Sequence, residues 1–183
     1  MDVLKKDFKF KLIKNFFSQE EIDLGVYYFL LKHKRNRSYF DEGFNNNEDS
    51  FFVNDCFADS FLMKKWQRMQ EETKLKLIPT YSCSRVYTFN STLQKHKDRP
   101  SCEVSVTAMW GSDGTPWPIY IDGTKIDMQP GDAVIYLGCE LEHWREPFQG
   151  DWHAQTFLHY VDENGPNKDY AYDQEDILIN VLI

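Results

Sequence analysis

Only five of the 183 residues are histidine. One of them, His96, forms a His-x-Asp pair with Asp98 just ahead of the alternating stretch CEVSVTAMW at 102–110. Residues two apart leave an extended backbone on the same side, so imidazole and carboxylate face one direction. Alone, such a pair is more often a surface ion pair than a ligand set. A third group changes the reading: His143 lies in CELEHWREPF, beyond several strand-like segments and directly after DAVIYLG. Two imidazoles and one carboxylate in this order are the donor set that caps one face of non-haem Fe(II). That face leaves three cis positions open, enough for a co-substrate and dioxygen together. A zinc hydrolase usually needs one.

Bringing His143 back to His96 requires a chain that doubles back on itself repeatedly. After Pro79, short apolar runs alternate with Gly, Pro and Asp: YSCSRVYTF (81–89), CEVSVTAMW (102–110), PIYID (118–122), KIDMQ (125–129), DAVIYLG (132–138) and HAQTFLHYV (153–161). Asp122-Gly123 is a type I′ hairpin signal, and Pro130-Gly131-Asp132 marks another tight turn. Ahead of these strands, FKFKLI (8–13) alternates as a strand. Ser18 and Glu21 stand at capping-box spacing before an apolar stripe of Ile22, Val26, Phe29 and Leu30. A second helix is predicted across about 56–75, with Phe61, Leu62, Trp66 and Met69 as a core stripe. The polar segment 36–54 reads as irregular and is a candidate lid, as is GSDGTPW at 111–117; the terminal DQEDILINVLI reads as an edge strand. The pattern predicts a mostly β fold with flanking helices: a jelly-roll, cupin-like barrel over about 79–161, supported by helices within about 18–75. One domain spans 1–183, without internal repeats.

Composition narrows the function classes. A net charge of −8 and a pI near 5.1 argue against gripping nucleic acid, which needs a basic stripe to neutralise phosphates. The basic run KHKRNR at 32–37 reads as a solvated helix end, His33 included. Cys56, Cys83, Cys102 and Cys139 have no metal-finger spacing and suit a reducing cytoplasm. No stretch approaches a membrane span, and the N-terminus lacks the apolar core of a secretory signal.

Taken together, YSCSRVYTFNSTLQKHKDRPSCEVSVTAMW, PWPIYID, PGDAVIYLGCELEHWREPF and QTFLHYV resemble the Fe(II)- and 2-oxoglutarate-dependent oxygenases, in particular the prolyl-4-hydroxylase-like branch of bacteria and phages. The resemblance covers roughly 79–161. It implies a double-stranded β-helix with His96, Asp98 and His143 as iron ligands, and 2-oxoglutarate and dioxygen as co-substrates. The implied reaction is a hydroxylation coupled to oxidative decarboxylation of 2-oxoglutarate, on a prolyl or other peptide side chain or a small molecule. The implied location is the cytoplasm, or a host's cytoplasm for a phage-encoded chain.

The distal carboxylate of 2-oxoglutarate, buried in such a barrel, needs a cation and donors. Similar families place a Lys or Arg about nine to ten residues after the second histidine, where this chain has Trp152 and His153. Arg145, two residues past His143, is the first replacement candidate and Arg85 the second, with Arg99 beside Asp98. The resemblance assigns Tyr87 to the co-substrate, and Thr107 and Gln155 are further donors. Strand alternation puts His153, Gln155, Phe157 and His159 on one face, so either histidine could donate to the carboxylate or be a core or rim residue. Trp110, Trp117 and Trp144 read as core, with Trp144 also a candidate pocket wall. The departure at Trp152 and His153 keeps open a cupin-like metal- or ligand-binding protein without turnover. A structural, capsid-like jelly roll is the third reading.

Overall fold

The structure, a computed structural model, describes residues 8–35 and 49–174. The Ser18 signal is realised in full: helix α1 (Gln19–Lys34) begins with the Glu21 N–H donating to Ser18 Oγ at 3.2 Å and the Ser18 N–H donating to Glu21 Oε2 at 2.9 Å. Helix α2 (Cys56–Thr73) is capped by Asp55, which accepts from the Phe57 N–H at 3.0 Å, and stops at Lys74, whose φ of 61° is left-handed.

The remaining elements are strands β1 (Phe10–Ile13), β2 (Ser50–Val53), β3 (Leu77–Tyr87), β4 (Leu93–His96), β5 (Val104–Ser112), β6 (Ile119–Ile121), β7 (Thr124–Ile126), β8 (Ala133–Leu137), β9 (His143–Arg145) and β10 (His153–Asp162), with short 3-10 segments at Pro100–Cys102 and Lys168–Gln174. They form two antiparallel sheets ordered β1-β8-β5-β10-β3-β2 and β4-β9-β6-β7. This is the jelly-roll architecture expected from the alternation. Asp122 and Gly123, at φ 50° and 79°, make the predicted hairpin turn between β6 and β7. No helix among the described residues is long and apolar enough to cross a membrane.

The large sheet has two unlike faces. The helix-facing side is the apolar core, centred on Trp110 of β5. Its indole stacks on Phe17 at 3.7 Å, meets Phe61 edge-on at 5.1 Å and donates to Thr156 Oγ1 at 2.6 Å. A Cβ at Gly25 of α1 would lie 2.2 Å from this ring, so only glycine allows the helix to close over it. The opposite side, carried by residues two apart such as Ser105 and Thr107 or Gln155 and Phe157, faces the small sheet and is largely polar.

Several local expectations are corrected. β3 starts at Leu77, two residues before Pro79, which sits opposite the register shift between Leu158 and Tyr160 of β10, where a missing donor is tolerated. β2 occupies part of the segment expected to be irregular, while 36–48 lies outside the described residues. So does most of the expected terminal strand, residues 175–183. His33 is half-buried, not solvated, and shares a 2.6 Å hydrogen bond with Ser50 Oγ.

Candidate active site

β4 and β9 are antiparallel neighbours with His96 opposite His143, which brings their ring centroids to 4.3 Å. Asp98 follows β4, its N–H donating to Gly138 O at 2.9 Å. A Cβ at Gly138 would lie 2.3 Å from Asp98 Oδ2, so the bare backbone there lets the carboxylate approach. Each imidazole turns Nδ1 to a main-chain carbonyl, His96 to Gln94 O at 2.7 Å and His143 to Leu141 O at 3.0 Å. A carbonyl only accepts, so each Nδ1 carries a hydrogen and each Nε2 is left to bind a proton or a cation. Both Nε2 atoms converge on Asp98 Oδ1, at 3.4 and 3.3 Å. Two lone pairs and a carboxylate oxygen cannot share that space without positive charge between them. An octahedral ion with ligands at about 2.1 Å sets cis donors about 3 Å apart, close to this spacing.

The electrostatics agree. Burial raises the Asp98 carboxyl, but the contacts with His143 and His96 outweigh it and hold the group well below the carboxylate range. In return Asp98 holds His96 above its ordinary value, against the opposing effect of burial. The three residues line a cavity of about 310 Å³ whose walls include Arg85, Tyr87, Tyr136 and Phe157.

Two residues along β9 from His143, on the same side of the strand, lies Arg145. It is 2% exposed, donates from Nη1 to Trp117 O, and holds its guanidinium carbon 4.6 Å above the Trp117 ring. Among the described residues no carboxylate forms an ion pair with it. Burial lowers its pKa to about 10, with Tyr87 and Tyr136 opposing, so it is charged at neutral pH. On β5 and β10, polar atoms are buried without hydrogen-bond partners among the described residues: Thr107 Oγ1, both amide atoms of Gln155 and both ring nitrogens of His153. Such groups each cost about 1–3 kcal/mol when left unsatisfied, so a set of them in the barrel interior together with a charged guanidinium fits a bound anion that also accepts hydrogen bonds. Tyr87 is buried beside them, edge-on to Trp117 at 4.8 Å. Arg85 shares Tyr87's face of β3, its guanidinium carbon 5.2 Å from that ring.

His153, at the position where a Lys or Arg was expected, packs against Trp117 at 5.1 Å and Phe148 at 5.9 Å. Burial, reinforced by Arg145, pushes it well below the histidine range, so it is neutral. His159 faces the 310 Å³ cavity. Burial would depress it too, but the Cys102 and Cys83 thiols more than compensate. Arg99 stays at the cavity mouth, 3.5 Å from Asp173 and over the Tyr81 ring at 4.5 Å. Trp144 is not a pocket wall: it stacks outside on Tyr120 at 5.1 Å under the Lys95 ammonium. Tyr136, Ser105 and Cys102 were missed by sequence reasoning. The signal was there for two of them, since Ser105 and Tyr136 are polar interruptions on the inward phase of strands β5 and β8.

No protein-family model matches the sequence, and no curated protein sequence does. Solved structures do match. A Pseudomonas putida prolyl-4-hydroxylase superposes with a TM-score of 0.65 at 15% identity, over 86% of this chain and 96% of that one. A Trichoplax adhaerens prolyl hydroxylase, solved with a hypoxia-inducible-factor peptide fragment, gives 0.66 at 14% identity, over 94% and 91%. HygX of Streptomyces hygroscopicus, solved with nickel, 2-oxoglutarate and hygromycin B, gives 0.65 at 11% identity, over 87% and 85%. The described residues therefore adopt the fold of the Fe(II)- and 2-oxoglutarate-dependent oxygenases, the family that the motifs resemble.

Proposed function

We propose that this chain is an Fe(II)- and 2-oxoglutarate-dependent oxygenase that hydroxylates a C–H bond of a peptide side chain or small molecule. The observation that carries the reading is the convergence of His96 Nε2 and His143 Nε2 on Asp98 Oδ1, at 3.4 and 3.3 Å, with a buried guanidinium on the strand of His143 that has no carboxylate partner among the described residues. Arg145 is two residues from His143, about 7 Å along an extended chain, comparable to the length of a five-carbon diacid.

In this reading His96, Asp98 and His143 hold iron, which with 2-oxoglutarate and dioxygen supplies the oxidising power. Arg145 pairs with the distal carboxylate, while Thr107, Gln155 and Tyr87 donate to it. Trp117 and Phe148 keep water from the guanidinium, which strengthens that pairing. Arg85 lines the triad cavity itself, where its charge would face the co-substrate. The similar structures hold a peptide in one case and hygromycin B in another, and the fold alone does not choose between such classes. With all four cysteines as thiols, we place the chain in a reducing cytoplasm.

The cupin-like alternative rests on the absence of a Lys or Arg nine to ten residues after the second histidine; in the proposed reading Arg145, on the strand of His143 itself, takes that role. Calorimetry of 2-oxoglutarate binding to the Fe(II)-loaded protein, followed by assay of succinate, tests the proposal. We expect saturable, iron-dependent binding and succinate release that needs His143. Iron binding without any 2-oxoglutarate affinity would return the chain to the cupin-like reading.

A further inference from the structure

We propose a second metal site beside the first, built from Cys102, His159 and the outer oxygen of Asp98, with Cys83 in reach, which takes a thiophilic divalent cation such as Zn²⁺. One donor atom each from Asp98, Cys102 and His159 lie within 4.8 Å of one another. The two oxygens of Asp98 face different neighbours. Oδ1 faces His96 and His143, whereas Oδ2 accepts from Ser105 Oγ at 2.7 Å. The same Ser105 hydroxyl lies 3.0 Å from His159 Nδ1, so one residue orients both the carboxylate and the imidazole. On the other side of the ring, Cys83 Sγ is 3.9 Å from His159 Nε2. Cys83, Cys102, Asp98 and His159 all open on the 310 Å³ cavity, which gives a cation an entry path.

The donor chemistry separates the two sites. Imidazole, imidazole and carboxylate suit Fe(II), whereas thiolate with imidazole selects softer ions. A tetrahedral ion with bonds of about 2.0–2.3 Å sets its donors about 3.3–3.8 Å apart. The Cys83–His159 spacing is already near that value, and the rest close by about an ångström. Because Asp98 gives one oxygen to each site, their occupancies are coupled.

Cd²⁺ titration tests this site without reference to turnover, since only thiolate ligands give the ultraviolet sulfur-to-cadmium charge-transfer band. The titration uses a Cys56→Ser/Cys139→Ser background, which removes the two thiols away from the cluster. We expect a band saturating at one equivalent, retained in His96→Ala and lost in both Cys102→Ser and His159→Gln. The two variants are independent, so His159→Gln decides if Cys102→Ser does not fold. No band in the background protein, or a band that survives either substitution in folded protein, overturns the second site. The His96→Ala arm keeps this result apart from failure of the iron site.

Discussion

The two ends of the barrel interior handle buried polarity in opposite ways. At the triad end, polar groups are partnered by one another: His96 and His143 by carbonyls and Asp98, Asp98 by Ser105, Ser105 by His159. Elsewhere in the interior, on β5 and β10, Thr107, Gln155 and His153 are by contrast buried with no hydrogen-bond partner among the described residues. The first arrangement is preorganised and, in the proposed reading, would gain a cation in exchange for protons. The second is costly by itself, and in the proposed reading an anion would offset that cost, so stability would be given up locally for binding.

That contrast is broken most severely by Asp98→Ala. Iron affinity, read by equilibrium dialysis, should fall at least about 100-fold, more than a loss of supporting contacts would cause, while circular dichroism stays unchanged. Unaltered affinity would remove Asp98 from the site. Arg145→Met is next. It should weaken 2-oxoglutarate about 100-fold by calorimetry, as expected from losing a charge-assisted pair. It should do so without lowering the melting temperature of the metal-free protein, because a buried unpaired charge is removed. A large fall in melting temperature would mean that Arg145 is a structural residue.

Gln155→Leu and Thr107→Val sharpen the comparison. Each should cost about tenfold in 2-oxoglutarate affinity and leave stability within about 1 kcal/mol, since no existing hydrogen bond is lost. The smallest effect is on the outer layer, where polar groups are paired again. Glu21 caps α1 and contacts Lys64 and Lys65 at 2.6 and 2.9 Å. Burial raises its carboxyl, but these partners and the Ser18 N–H lower it from 4.5 to about 2. A depressed carboxylate stabilises above its unfolded value and loses that contribution as pH falls through the folded one. Glu21→Gln should therefore melt about 2–4 °C lower at pH 7, with the difference vanishing between pH 4.5 and 2. A difference that persists at pH 2 would assign the effect to packing.

Much of this was legible in the sequence because it rests on local rules. Ser18 and Glu21 predict the start of α1, Asp122-Gly123 the hairpin, and the two-residue period the inward side chains of β5 and β10. The pair His96 and Asp98 was visible by spacing, and His143 by its place after β8. β4 and β9 were hidden, since strands of four and three residues are too short to show a period. Trp144 was misplaced because β9 turns alternate residues outward, which a motif cannot reveal. Cys102 comes to His159 only through the 3-10 turn at Pro100–Cys102, a long-range contact with no sequence signature.

Anaerobic titration with Fe(II) and then 2-oxoglutarate, following the visible metal-to-ligand charge-transfer band, reads the triad and the co-substrate site together. We expect a band in the wild-type protein, none in His96→Ala, and in Arg145→Met a band that needs about 100-fold more 2-oxoglutarate. Iron bound without a band in the wild type would remove 2-oxoglutarate from the site, and an Arg145→Met titration that superimposes on the wild type would remove Arg145.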